Sequence, residues 1–126
     1  MNLRLNPASV QPSPFYSHGV QVPIGKVLVQ TAGQVGVDVD GNVAEGIAAQ
    51  ARQAMENVVA VLAEAGMTVA DVVTFRFYLT EAENVGPFSA AIAPLMPNPM
   101  PATTMLVVKA LASPAFLIEI EALAAR

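Results

Sequence analysis

The sequence has no cysteine, no tryptophan and a single histidine, His18. Without cysteine there is no disulfide, no thiolate metal site and no cysteine nucleophile. One histidine cannot build a histidine cluster, so a His-cluster metal site is not expected. Charge is scarce as well: 13% of the residues are Asp, Glu, Lys or Arg, against about 25% in ordinary soluble domains. Ten acidic residues outnumber six basic ones and leave a net charge of −4. That is the wrong sign for a phosphate-backbone binder and argues against nucleic acid. No apolar run approaches the ~18 residues of a membrane span. The opening MNLRLNPASV lacks the apolar stretch of a secretory signal, so the expectation is a cytoplasmic globular protein with no membrane partner. Common catalytic motifs are missing too. GQVGVDVDG lacks the lysine and following helix of a phosphate loop, and there is no GxSxG elbow or HExxH pair.

What is plentiful is apolar. Residues of that kind make up 54% of the chain and mean hydropathy is +0.52. A chain of 126 residues fits one domain, residues 1–126, and can bury an ordinary core. So small a domain needs polar surface to cover it, and this one has little. The deficit points to an exterior partly hidden against copies of itself; alanine-rich composition is the other source of such a figure.

Residues 1–18 carry Pro7, Pro12 and Pro14 and read as an irregular arm. Short strands are expected near 19–23 and 27–31, followed by an extended segment to Val39, with turns at Gly25 and Asp40-Gly41. Their nearness favours antiparallel hairpin pairing. In GIAAQARQAMENVVAVLAEAGMT, residues Ile47, Ala51, Ala54, Met55, Val58, Val59 and Leu62 fall on one helical stripe, and Gly66 stands where a left-handed cap belongs. VVTFRFYLT reads as a strand with Val73, Phe75, Phe77 and Leu79 on one face and Thr74, Arg76 and Tyr78 on the other. A second helix is expected from about Asn84 to Pro94, with Pro87 in its first turn. PLMPNPMP is a proline-broken connector. TTMLVVKAL and FLIEIEALA are the final strands, joined at Ala112-Ser113-Pro114. The order β-β-β-α-β-α-β-β predicts an α+β fold in which two helices cover one face of a mixed sheet and leave the other open for the self-contact.

Glu119 and Glu121 alternate with isoleucines and so share a strand face. A carboxylate pair there serves general acid–base chemistry, or is simply a solvated face. Tyr16 and His18 lie in a proline-constrained turn, PSPFYSHGV, as ligand-binding groups or as surface packing. Arg76 is an anion receptor or half of an ion pair. Thr103 and Met105 share a strand face, where the hydroxyl could equally satisfy backbone.

Taken in order, PSPFYSHGV, VLVQTAGQVGVDVDGNV, IAAQARQAMENVVAVLAEAGMTVADVVTFRFYL, PATTMLVV and FLIEIEALA resemble the Rid/YjgF family (the endoribonuclease L-PSP family), whose RidA members hydrolyse reactive enamines and imines. The resemblance implies a chorismate-mutase-like subunit and a homotrimer holding small-molecule ligands in clefts between neighbours, without cofactor. It implies that Tyr16 matches the site tyrosine and Glu119 the glutamate that holds the hydrolytic water. Elsewhere the pattern departs. The arginine that grips the substrate carboxylate in RidA members is Thr103 here, the neighbouring cysteine is Met105, the serine of the SGQ segment is Ala32, and the glutamine of the opening motif is His18. The asparagine of the family's second helix has no counterpart. Expected, then, is a divergent member that deaminates an imine other than 2-aminoacrylate, with Glu119 and His18 as catalytic groups. Tyr16, Ala32, Thr103, Met105 and Arg76 would contact the ligand, Arg76 or Lys109 being the cations available to replace the missing one. Two other readings stand beside it: a trimer that binds a metabolite without turnover, and a pathway enzyme for a cyclic or aromatic imine.

Overall fold

The computed structural model describes all 126 residues. Its longest element is the alanine-rich helix α1, Ile47–Glu64. Ala51, Ala54, Met55, Val58 and Leu62 are fully or almost fully buried, and Ile47 packs beside them. Val59, expected on the same stripe, is 41% exposed; it lies one step round the helix from Val58, beyond the reach of the sheet. The stripe also contains Gln50, buried at 3% exposure. Its side-chain amide donates to the Ala115 carbonyl and accepts from the Leu117 N–H, so the helix grips the segment leading into the last strand. Gly66 closes the helix with φ of 70°, its N–H donating to Ala63 while that of Met67 reaches Leu62. Both orphan carbonyls are thus satisfied, and buried Met67 and Leu62 seal the turn.

The chain also has seven strands: β1 (Leu3–Leu5), β2 (Gly19–Gln21), β3 (Leu28–Gln30), β4 (Gln34–Val35), β5 (Val72–Leu79), β6 (Ala102–Val107) and β7 (Ile118–Ala125). The second helix, α2 (Val85–Ile92), carries Pro87 in its first turn and packs against α1. The main sheet runs β3-β7-β5-β6, with β4 continuing the line of β3 along β7. Only β5 and β6 are parallel, as the α2 crossover between them requires. Phe75, Phe77, Leu79, Ile118, Ile120, Ala122 and Ala124 point into the core beneath the helices. Phe77 joins the aromatic cluster through Phe75 (5.7 Å) and Phe88 (5.0 Å). The fold is α+β, a mixed sheet with two helices.

Three expectations need correction. The arm is not wholly irregular, because Leu3–Leu5 pairs antiparallel with β2; a three-residue strand is too short to show an alternation. The order therefore begins with four strands, not three. Nor do β2, β3 and β4 form hairpins with one another. β3 and β4 both pair with β7, while Pro23, which has no N–H to give a ladder, separates β2 from β3. The extended segment to Val39 holds only the two residues of β4 and a single bridge, Val37 to Val43, across a turn in which Asp38 accepts the N–H groups of Asp40 and Asn42. Finally, β6 and β7 are consecutive without being neighbours, since β5 lies between them.

Candidate functional site

A cavity of about 560 Å³ opens between β6, α2 and the N-terminal arm. Tyr16, Thr103 and Met105, three residues marked by the sequence, meet in its wall. Local backbone explains their convergence. Opposite register pairs in parallel strands share a face, so Thr103 and Met105 stand on the side of Phe75 and Phe77. Tyr16 arrives from the other end of the chain because the next residue, Ser17, is buried and pinned. Its hydroxyl donates to the Met100 carbonyl at 2.7 Å and its N–H to the Pro101 carbonyl at 3.0 Å. Arg4 reinforces the junction by donating to the Met100 and Pro99 carbonyls, and loss of hydration there lowers the guanidinium pKa from its ordinary value. The irregular arm is therefore a fixed wall of the cavity.

Reading from residues alone missed much of that wall. Phe15, Phe77, Ser89, Met96 and Met100 also line it. Phe77 was legible as a core residue, but its double duty follows from the end of the sheet running past α2. Met96 and Met100 lay in the proline-broken connector, whose only visible signal was two thioethers four residues apart.

The other expected residues are elsewhere. Glu119 projects from the opposite face of the sheet, as the burial of Ile118 and Ile120 on either side requires. It lies against Gly33, where a Cβ would stand 2.9 Å from its Cγ and 2.6 Å from its Cδ; only a glycine lets the carboxylate rest on bare backbone. Ala32 precedes that glycine in the loop between β3 and β4, so exposed Ala32 and Gly33 stand beside half-buried Glu119. Arg76 shares the face with them, 3.8 Å from the Glu121 carboxylate. At 50% exposure of its side chain that pair contributes about 0–1 kcal/mol. Tyr78 donates to the same Glu121 carboxylate. This hydrogen bond, then burial, then the nearby negative charge raise the Tyr78 pKa above its ordinary value. Glu121 is thereby engaged by two partners, whereas Glu119 faces outward from Gly33.

His18 stands beside the cavity rather than in its wall. Its ring meets Tyr16 edge-on at 5.4 Å, and its Nε2 lies 2.7 Å from the Gln11 carbonyl. Lys109 is exposed, two residues beyond β6. In a single chain, then, the structure gathers Tyr16, Thr103 and Met105 on one side of the sheet and Ala32, Glu119 and Arg76 on the other. There is no group of three His, Asp or Glu side chains able to hold a metal ion, and no helix is long and apolar enough to cross a membrane.

Comparison with known proteins bears on this arrangement. Residues 7–126 match the family model described as Endoribonuclease L-PSP. A curated relative, the 2-iminobutanoate/2-iminopropanoate deaminase of Salmonella typhimurium, is 36% identical over 85 residues, 67% of this chain; the match spans 62% of that relative's length. Among solved structures, the Rid-family protein YyfB from Yersinia pestis superposes with a TM-score of 0.83 at 33% identity, covering 99% of this chain and 98% of that one. The YjgF gene product of E. coli gives 0.74 at 31% identity, with 96% and 93% covered. The shared sheet, helices and order of motifs make this chain a member of the Endoribonuclease L-PSP family, to which the Rid and YjgF proteins belong.

Proposed function

We propose that the protein is a homotrimeric hydrolase of a reactive imine or enamine, acting in the cytoplasm at clefts between subunits, on a substrate other than 2-aminoacrylate. One observation carries the reading: a single chain holds two complementary half-sites on opposite faces of its sheet. The cavity of Tyr16, Thr103 and Met105 opens beside β6, whose outer edge pairs with no other strand. Glu119 and Ala32 lie outward on a face that also exposes Leu28 and Leu106. A neighbouring copy that covers this face brings its Glu119 to the open side of the cavity. The shortage of charge in the chain and the deaminase name of a relative support the same assembly.

In the reaction, the Glu119 carboxylate accepts a proton from a bound water as the water oxygen bonds to the imine carbon. The same carboxyl group returns that proton to nitrogen, giving a carbinolamine, and then carries the carbinolamine hydroxyl proton to nitrogen as the C–N bond breaks, so that a carbonyl compound and ammonia leave. Tyr16 orients the ligand. His18 braces the Tyr16 ring and acts through it. Thr103 offers one neutral hydroxyl where a carboxylate would need a charged fork, so small α-imino acids are poor substrates.

The test follows ammonia released from imines generated in place by amine and amino-acid oxidases. Acceleration by the wild type and a loss of about 100-fold or more in Glu119→Gln would support the mechanism. Full activity in Glu119→Gln would remove it. Binding of ligands with no acceleration of any imine would establish a binding protein instead.

A further inference from the structure

The walls of the cavity specify more about its occupant than the reaction does. Ten of its twelve lining residues are hydrophobic, and the remaining two, Ser89 and Thr103, carry neutral hydroxyls. The Tyr16 hydroxyl is the third polar group. Phe15, Tyr16 and Phe77 contribute aromatic rings, and Met96, Met100 and Met105 contribute thioethers. The ring faces and sulfurs present electron density to a ligand, and the three hydroxyls are neutral groups that donate one hydrogen bond each, which suits a neutral or cationic head group and leaves a carboxylate without opposing charge. A buried carboxylate needs opposing charge or several donors.

No cation of the same chain lines the cavity, and the face that a neighbouring copy would bring carries Arg76 already paired with Glu121, with the Glu119 carboxylate beside it. Arg4 is committed to backbone carbonyls behind the connector, Arg76 pairs with Glu121 on the far face, and Arg126 donates to the Gly66 carbonyl at the end of α1. Lys26 neighbours the chain's own N-terminus, Arg52 is exposed on α1, and Lys109 is exposed beyond β6. These six are all the lysines and arginines in the sequence.

We infer that the ligand is an imine or enamine with an aromatic-sized apolar body and no carboxylate, selected by the methionine and aromatic wall and by the neutral Thr103. At about 560 Å³ the space lies within the ~300–1,000 Å³ of small-molecule sites and exceeds what a three-carbon imino acid fills. The three thioethers are flexible enough to close around a ring. The inference rests on the proposed site and deepens it by naming the substrate class.

A matched pair of stable carbonyl probes tests it by calorimetry on the wild-type assembly. Benzylacetone and benzylpyruvate share the phenylethyl ketone frame and differ in a methyl group against a carboxylate. Benzylacetone is expected to bind about tenfold tighter or better, and Thr103→Arg to shift the preference by about tenfold or more toward benzylpyruvate, through the bidentate contact a guanidinium supplies. Circular dichroism of the variant confirms that it is folded; the wild-type comparison stands without it. Tighter wild-type binding of benzylpyruvate would overturn the inference while leaving the cavity as the ligand site. Binding of neither probe would overturn the site itself, and the inference with it.

Discussion

On the helix side of the sheet β5 presents Val72, Phe75, Phe77 and Leu79, all buried in the core; on the other side the same strand presents Thr74, Arg76 and Tyr78. β7 repeats the division, with Ile118 and Ile120 inward and Glu119 and Glu121 outward. A chain with so few charges has set four titratable side chains, Arg76, Tyr78, Glu119 and Glu121, on one small patch and none in the wall of its apolar cavity beyond the Tyr16 phenol. Period-two alternation is sufficient to produce this separation. On the proposed reading, neither face is a complete site. The helix side offers a shaped space without a group to move a proton, and the open side offers a carboxylate without a space. The two carboxylates of the open side differ as well: Glu121 is tied to Tyr78 and Arg76, whereas Glu119, the water-holding group of the proposed mechanism, rests against Gly33.

The division can be attacked from either side. The largest effect is expected from Phe77→Ala, which empties the helix side where core and cavity share a wall. Loss of a buried phenylalanine costs about 3–5 kcal/mol, read as a drop in the denaturant midpoint, whereas Glu119→Gln should leave that midpoint within about 0.5 kcal/mol. Next comes the contrast within the open side. Glu119→Gln should reduce turnover of an accepted imine by about 100-fold, equivalent to about 2.7 kcal/mol. Glu121→Gln should stay within a few-fold of wild type. Equal losses in the two variants would erase the distinction between the carboxylates.

The smallest effect is spectroscopic. Tyr78 is held protonated by Glu121, so its pKa lies above the ordinary value near 10. The sign follows from proton binding: above about pH 10 the unfolded chain releases the Tyr78 proton while the folded chain retains it, so this contribution is complete below that pH and declines as pH rises. An ultraviolet titration should show one of the two tyrosines ionising late, and Glu121→Gln should return it toward the ordinary value. No change in the variant would show that the contact with Glu121 is not what holds the proton.

Much of this was legible in the sequence because it depends on periodicity. The α1 stripe, the two faces of β5, the alternation of Glu119 with isoleucines and the cap at Gly66 are local patterns, and each takes the predicted form apart from Val59 and from the start of β5, where a register shift between Val72 and Thr74 brings Val72 into the core in place of Val73. The pairing of β3 and β4 with β7 joins residues about ninety positions apart, and no local pattern encodes such a partner. The same limit applies to the site. Tyr16, Thr103 and Met105 were marked individually, but Ser17 fastening the arm to the connector and Gly33 yielding space to Glu119 become visible only once the chain has closed on itself. Gln50, a polar residue inside an apolar stripe, looks like an interruption until its two backbone partners are seen.

The central claim is that one copy supplies the cavity and its neighbour the carboxylate, and subunit complementation tests it most directly. Glu119→Gln lacks the carboxylate but keeps the cavity; Thr103→Trp fills the cavity but keeps Glu119. Each variant alone should be inactive on an imine that the wild type accepts. Unfolded, mixed in equal amounts and refolded together, they should recover about a quarter of wild-type activity, the fraction of interfaces at which an open cavity meets an intact Glu119. A mixture as inactive as its parents, despite proven exchange of subunits, would contradict the shared site.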